Sequence, residues 1–410
     1  MMKDSLDIII VGNGVAGVTA ARIIKNKNPQ TKVSIYTDEP HNYYPRPRLY
    51  EILSGQAQPE DVYLFSEQWY TSKGINVHLN TKVTKIKTKQ KQILLDDKTT
   101  VKYDKLLLAN GAHPFIPPIN GIETKGVFTL RSLQDALAIK QYAETTKKAT
   151  VIGGGLLGLE FAYSLRTLGQ QVTVVEMFQR LLPRQLDQDA AAMLKSKIEE
   201  TGINVVLGAK TTEIRGKKTV KEILLDNNQT IAGDLVLLSA GIRPNTQLAS
   251  MSGIHVNKGV LVNKHLQTST NDVYAAGDIT EFEGKLYGII PVAIQQANIA
   301  ANNMVTTEQI NYEGTTPSNT LKIVGIDLTS IGIVNPEDKK YEELKKADPK
   351  QGIYKKLVLD NGIIVGAIIM GTTKCVASIK SLINQKTNIT KYRKTILNEN
   401  FDYKKVASLT

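Results

Sequence analysis

Ile8-Ile9-Ile10-Val11-Gly12-Asn13-Gly14-Val15-Ala16-Gly17 decides the reading of this chain, because an apolar run stops at spaced glycines and resumes as a helix-like stretch. A second copy of the pattern stands at Ala149-Thr150-Val151-Ile152-Gly153-Gly154-Gly155-Leu156-Leu157-Gly158. In a strand–G-x-G-x-x-G–helix unit the first glycine permits a tight turn and the second admits a pyrophosphate against the backbone. The third lets helix and strand pack closely. Unpaired amides and a partial positive charge at the helix start then face the phosphates. One such pattern arises by chance. Two of them predict two bound dinucleotides, with electrons passing from one to the other.

Each unit runs on into a helix and a second strand. After the first, a helical stretch over 18–24 and a strand at Lys32–Tyr36 run into Thr37-Asp38-Glu39. The obvious ribose-acceptor position holds Thr37, so Asp38 is the candidate carboxylate and Glu39 its reserve. After the second, a helix over 156–168 closes at Gly169, and the strand Gln171–Glu176 ends on a carboxylate. Glu176 suits a ribose 2′-hydroxyl and repels a 2′-phosphate, which favours NADH over NADPH. Arg180 and Arg184 lie downstream and would soften that preference.

Further strands end in small-residue turns at Leu106-Leu107-Leu108-Ala109-Asn110-Gly111-Ala112 and at Leu235-Val236-Leu237-Leu238-Ser239-Ala240-Gly241. Val273-Tyr274-Ala275-Ala276-Gly277-Asp278-Ile279 then places an aspartate after an apolar strand and a glycine. With these motifs in this order, the chain resembles the two-dinucleotide flavoprotein reductases. The resemblance implies an α/β fold with two Rossmann-like three-layer domains. An FAD-binding domain (1–113 and 244–311) would be interrupted by an NAD(P)H-binding domain (114–243). A small α+β interface domain with a Lys-rich tail would come last (312–410).

The resemblance also implies site residues. FAD would rest on Gly12, Gly14, Val15, Ala16 and Gly17, with Asp38 or Glu39 at its ribose. Val83, Asn110, Gly111 and Val292 would complete its surroundings, and Asp278 would hydrogen-bond the ribityl chain. The helix that starts near Pro291 would aim its positive end at the flavin. NADH would rest on Gly153, Gly155, Leu157, Gly158, Glu176 and Gly241. Glu160 would lie near nicotinamide and flavin as a positioning residue.

Disulfide reductases of this architecture carry a Cys-x-x-x-x-Cys pair beside the flavin, and peroxidase- and oxidase-type relatives carry one cysteine near that place. Here the matching stretch, residues 42–55, holds no thiol, so a dithiol relay is excluded. Cys375, the one cysteine of the chain, reads as a buried small residue of a C-terminal strand. Tyr44-Pro45-Arg46-Pro47-Arg48-Leu49 instead resembles the electron-carrier reductases that serve rubredoxin or ferredoxin, and the flavin-reductase part of NADH nitrite reductase. That resemblance implies Arg46 on the FAD pyrophosphate. Residues 320–332 resemble the C-terminal domain of the rubredoxin and nitrite reductases, which would bring Lys322 toward the flavin.

A chain of 410 residues has room for two to three domains. No apolar stretch reaches membrane-span length, and Met1-Met2-Lys3-Asp4-Ser5 leaves no room for a signal peptide before the first strand. A single cysteine points to the cytoplasm. The net charge of +12 comes mainly from lysines on runs such as residues 85–91, with no aromatic-rich basic stripe. A solvated surface is therefore expected rather than nucleic-acid binding, with steering of an acidic partner as the second use. The five histidines show no metal-ligand spacing. Beyond residue 311, strands are expected at Leu321–Ile326, Tyr354–Leu359 and Ile363–Met370, the last two joined by an Asn361-Gly362 hairpin turn. A helix at Val376–Asn384 and a Lys-rich tail with little periodicity complete the chain, and a homodimer interface there would match the family.

The sequence thus reads as an FAD-dependent NADH oxidoreductase that delivers electrons singly to a small electron-carrier protein, rubredoxin before ferredoxin. Alternatives are an NADH oxidase, the flavoprotein component of a nitrite-reducing system, and an NADH-sensing flavoprotein of the apoptosis-inducing-factor type.

Overall fold

The structure, a computed structural model, describes residues 6–323, 325–403 and 406, apart from the side chains of 321–323. The chain divides into two compact units. One takes in the chain up to Leu49, then Ala57–Phe115 and Gly241–Thr315; the other takes in Tyr50–Gln56, Ile116–Ala240 and the chain from Thr316 on.

The first unit is built on a parallel sheet in the order Val273–Ala275, Lys105–Leu108, Asp7–Val11, Lys32–Tyr36, Ile75–His78. Its central strand reads as an unbroken apolar run because both faces are covered. Ile8 and Ile10 join one core with Ala20, Ile24 and the helix Ile290–Val305. Ile9 and Val11 join the other, with Ile86 and Ile93 of a three-stranded antiparallel meander. The helix Val15–Lys27 comes directly after the first strand.

The second unit repeats that plan. Its parallel sheet runs Asn204–Leu207, Gln171–Glu176, Lys148–Ile152, Leu235–Leu238, Val127–Thr129. A second meander, Thr211–Arg215, Glu222–Leu225 and Thr230–Ala232, covers it. The same unit carries an antiparallel five-stranded sheet in the order Ser318–Ile323, Ile326–Gly332, Ile363–Met370, Ile353–Asp360, Glu342–Asp348.

The C-terminal region departs from the expected elements in several places. The strand expected at 321–326 is two strands, Ser318–Ile323 and Ile326–Gly332, turning between them. The polar stretch Glu342–Asp348 is an edge strand, which charged residues suit because one side stays in water. The tail is not loose: Ile396, Tyr403 and Val406 are buried on the sheet beside the helix Val376–Asn384. Cys375 is buried as expected, but it caps that helix instead of sitting in a strand. The hairpin turn is as read, with Asn361 and Gly362 both at positive φ (51° and 82°). Among the described residues no helix is long and apolar enough to cross a membrane, and no group of three or more His, Cys, Asp or Glu is placed to hold a metal ion.

Candidate dinucleotide sites

In the first unit, the strand Asp7–Val11 ends in a turn whose Gly12 has φ +108°, and the Gly12 N–H donates to Tyr36 O at 2.8 Å. A Cβ on Gly12 would lie 2.4 Å from Ala109 O, and one on Gly17 would lie 2.0 Å from Gly12 O. Helix and strand are thus as close as backbones allow. At Gly14, the helix N-cap, a Cβ would meet nothing within 4 Å. That open face leads to the first-turn amides at Val15, Ala16 and Gly17, which have no intrahelical acceptor, and no acidic residue occupies the turn. Two buried polar atoms border it without internal partners, Asn13 Nδ2 and Asn110 Oδ1. A cradle with open space, free amides and unsatisfied polar atoms fits the pyrophosphate half of FAD.

The segment after Lys32–Tyr36 places the two candidate carboxylates in different surroundings. Asp38 is exposed. Glu39 is half-buried, accepts from Tyr44 Oη, and is paired with the Arg46 guanidinium, which also lies over the Tyr44 ring. Burial works against the Glu39 charge, but Arg46, Tyr44 and His41 outweigh it and hold the carboxyl below its ordinary value. The backbone nearby is fixed by Thr81 N–H to Thr37 O (2.7 Å) and Asn80 N–H to Glu39 O (3.2 Å), which brings the start of the Val83–Lys87 strand alongside. Val83 is buried in the core there. Glu39, Arg46 and Val83 are therefore neighbours of one turn, while Asp38 points to water.

Asp278 comes after the strand Val273–Ala275 and is half-buried. The adjoining Gly277 donates its N–H to Gln296 Oε1 (2.9 Å), and a Cβ there would sit 3.0 Å from Ala16 Cβ. Asp278 is thereby set beside the start of the first helix. Gln296 belongs to the helix Ile290–Val305, whose first turn carries Pro291 and the buried Val292. Asn110 and Gly111 lie in the turn beside Gly12, where Asn110 Nδ2 donates to Asn245 O at 3.1 Å. Sequence reasoning passed over Tyr44 and Gln296. Tyr44 sits inside the quoted arginine motif, two residues from Arg46.

The second unit reproduces the turn. Gly153 has φ +115° and donates to Val175 O (2.8 Å); a Cβ on it would lie 2.3 Å from Ser239 O, and one on Gly158 would lie 2.1 Å from Gly153 O. Gly155 faces open space, and the first turn of the helix Leu156–Thr167, where Leu157 is exposed, holds no acidic residue. Glu176 is buried, with Oε2 accepting from Gly154 N–H (2.7 Å) and Oε1 from Phe178 N–H (3.0 Å). Each oxygen keeps a second lone pair for a ribose hydroxyl. Arg180 is tied to Pro183 O at 3.1 Å and Arg184 is exposed. Glu160 opens the second turn of the helix, half-buried, and burial pushes its carboxyl up to about 7.

Gly241 is grouped with the first unit, where Phe115 N–H donates to its carbonyl and Ile242–Pro244 pairs with Ala112–Pro114. The Lys322 side chain lies outside the described residues.

Comparison with known proteins shows the family. Residues 6–300 match the pyridine nucleotide-disulphide oxidoreductase family, and residues 317–387 match the rubredoxin NAD+ reductase C-terminal domain. A nitrite reductase [NAD(P)H] of Bacillus subtilis is 37% identical over 388 residues, which are 94% of this chain and 48% of that protein. The chain thus spans about half the length of that relative. The NADH-rubredoxin oxidoreductase of Clostridium acetobutylicum is 30% identical over 384 residues, 93% of this chain and 97% of that one. A crystal structure of NADH:rubredoxin oxidoreductase from the same organism superposes with a TM-score of 0.78 at 28% identity, covering 93% and 95% of the two chains. The chain belongs to the pyridine nucleotide-disulphide oxidoreductase family.

Proposed function

We propose that this oxidoreductase passes electrons from NADH singly to a small electron-carrier protein, rubredoxin first and ferredoxin behind it. The observation that carries the reading is a pair of equivalent glycine turns in a chain with no thiol where the family's sulfur relay stands. Cys375 is the sole cysteine, and burial pushes its thiol up, away from reactivity. FAD, when bound, supplies the conversion between electron pairs and single electrons.

The chain's own residues supply position and charge. Glu176 holds the ribose of NADH and, by its charge, turns away a 2′-phosphate. Glu39 takes the FAD ribose, Arg46 the pyrophosphate and Asp278 the ribityl chain. One cysteine fits a reducing, cytoplasmic setting, and the C-terminal sheet fits a homodimer interface.

The second reading, a flavoprotein component of a nitrite-reducing system, is favoured by the higher identity to the nitrite reductase, 37% against 30%. The deciding experiment is anaerobic reduction by NADH, then addition of purified rubredoxin and ferredoxin, at low and high salt. Transfer to rubredoxin supports the proposal. Turnover with oxygen alone at the same rate points to an oxidase.

Glu160 makes a pH prediction. A carboxyl with its midpoint raised to about 7 is neutral in acid and charged in alkali. A negative charge at this helix favours the positive ring that NADH becomes on oxidation. Flavin reduction by NADH, tracked by stopped-flow absorbance, is expected to speed up as pH rises through about 7. Glu160→Gln should flatten that profile, and an unchanged inflection in the variant removes Glu160 from the reaction.

A further inference from the structure

The segment beyond Glu176 is held at both ends. At its start, Glu176 binds the N–H groups of Gly154 and Phe178. In its middle, Leu181 and Leu182 are fully buried, and Leu182 N–H donates to Gly154 O at 3.3 Å. The segment therefore lies directly on the glycine turn. At its end, Asp187 caps the helix Gln188–Glu200 through Oδ1, which accepts from Ala190 N–H at 3.1 Å.

That cap needs one oxygen, and the other is claimed by the antiparallel sheet. Asp187 Oδ2 accepts from Tyr354 Oη at 2.6 Å and lies 3.3 Å from both Lys345 Nζ and Lys356 Nζ. Lys356 is only 2% exposed and also pairs with Glu343 at 2.7 Å; Lys345 reaches Glu343 at 3.2 Å. Asp187 and Glu343 both face the Lys356 ammonium, and Lys345 also lies 3.8 Å from the exposed Asp189, so the buried ammonium is paired, the condition under which it is tolerable. Asn335 adds a neutral link, its Nδ2 donating to Leu186 O (2.9 Å) and Pro183 O (3.3 Å). An ordinary helix start works with a lone Ser, Thr, Asn or Asp in water. Here one strand adds the buried ammonium of Lys356 and its neighbour adds the exposed Lys345.

The geometry points to Lys356, Tyr354 and Asp187 as positioning residues for NADH: the antiparallel sheet anchors the far end of the 176–187 segment and so fixes Glu176 against the glycine turn. This rests on the reading of that turn as the NADH site. None of the three touches the turn itself, so each acts through the segment.

The test uses the full FAD-loaded protein with Lys356→Met, Lys356→Arg and Tyr354→Phe. NAD+ affinity is measured by calorimetry, and kcat and KM for NADH with ferricyanide as acceptor. Losing the buried ammonium is expected to weaken NAD+ about tenfold and raise KM in step, with kcat and FAD content nearly unchanged. Lys356→Arg should restore affinity, and Tyr354→Phe, which deletes one hydrogen bond, should weaken NAD+ about threefold. Unchanged NAD+ affinity in yellow, folded Lys356→Met overturns the proposal, as does a parallel fall of kcat, affinity and FAD content. If Lys356→Met does not fold, Tyr354→Phe decides: a loss of affinity supports the anchor and no loss refutes it. An unmutated protein that ignores NAD+ altogether instead removes the assignment of the turn, and the anchor with it.

Discussion

Gly158→Val is expected to give a yellow, FAD-containing protein that NADH hardly reduces. A Cβ at this position would stand 2.1 Å from Gly153 O and 3.2 Å from Ser239 Oγ, and backbone cannot yield as the end of a side chain can. The helix Leu156–Thr167 would have to move off the strand Lys148–Ile152, taking its first-turn amides away from where a pyrophosphate sits. The turn at Gly12–Gly17 belongs to the other compact unit and keeps its own glycines. Stopped-flow reduction by NADH should fall by about 100-fold or more, equivalent to about 2.7 kcal/mol. Dithionite should still bleach the flavin. Reduction by NADH at the wild-type rate would show that this turn does not hold the nicotinamide dinucleotide.

Glu176→Ala should produce the second large effect, in two parts. Two backbone donors, at Gly154 and Phe178, lose a buried acceptor, and the ribose loses its partner. KM for NADH is expected to rise by about 30-fold, or about 2 kcal/mol. KM for NADPH should change far less, because the lost carboxylate no longer repels a 2′-phosphate. Steady-state kinetics with both nucleotides checks this. Equal use of NADH and NADPH by the unmutated protein would refute the role given to Glu176.

Both glycine turns were legible in the sequence because everything they need is local: an apolar strand, spaced glycines and an apolar helix within ten residues. Glu176 was legible for the same reason, as the last residue of its strand. The different surroundings of Asp38 and Glu39 were not, because they depend on Tyr44 and Arg46 folding back onto Glu39. The edge strand Glu342–Asp348 was hidden by its own composition. Glu-Glu-Leu-Lys-Lys-Ala-Asp has no apolar alternation, and its lysine and glutamate at 345 and 343 find partners from elsewhere in the fold. The Asp187 cluster lay furthest out of reach: Tyr354 and Asp187 are 167 residues apart, and Lys356 in a strand reads as surface until the fold buries it.

The two turns share a register, since Gly12 donates to Tyr36 O and Gly153 to Val175 O, so Thr37 stands where Glu176 stands. The residues beyond those two positions diverge. After Thr37 the chain doubles back, burying Tyr43 and Tyr44, whereas after Glu176 it leaves Met177 and Phe178 more than half exposed. A dinucleotide on the first turn would have the more enclosed flank, and one on the second, beside exposed Met177 and Phe178, would be freer to leave. A resident cofactor and an exchanging one would call for that difference, and it would come from the short stretch of chain after each second strand.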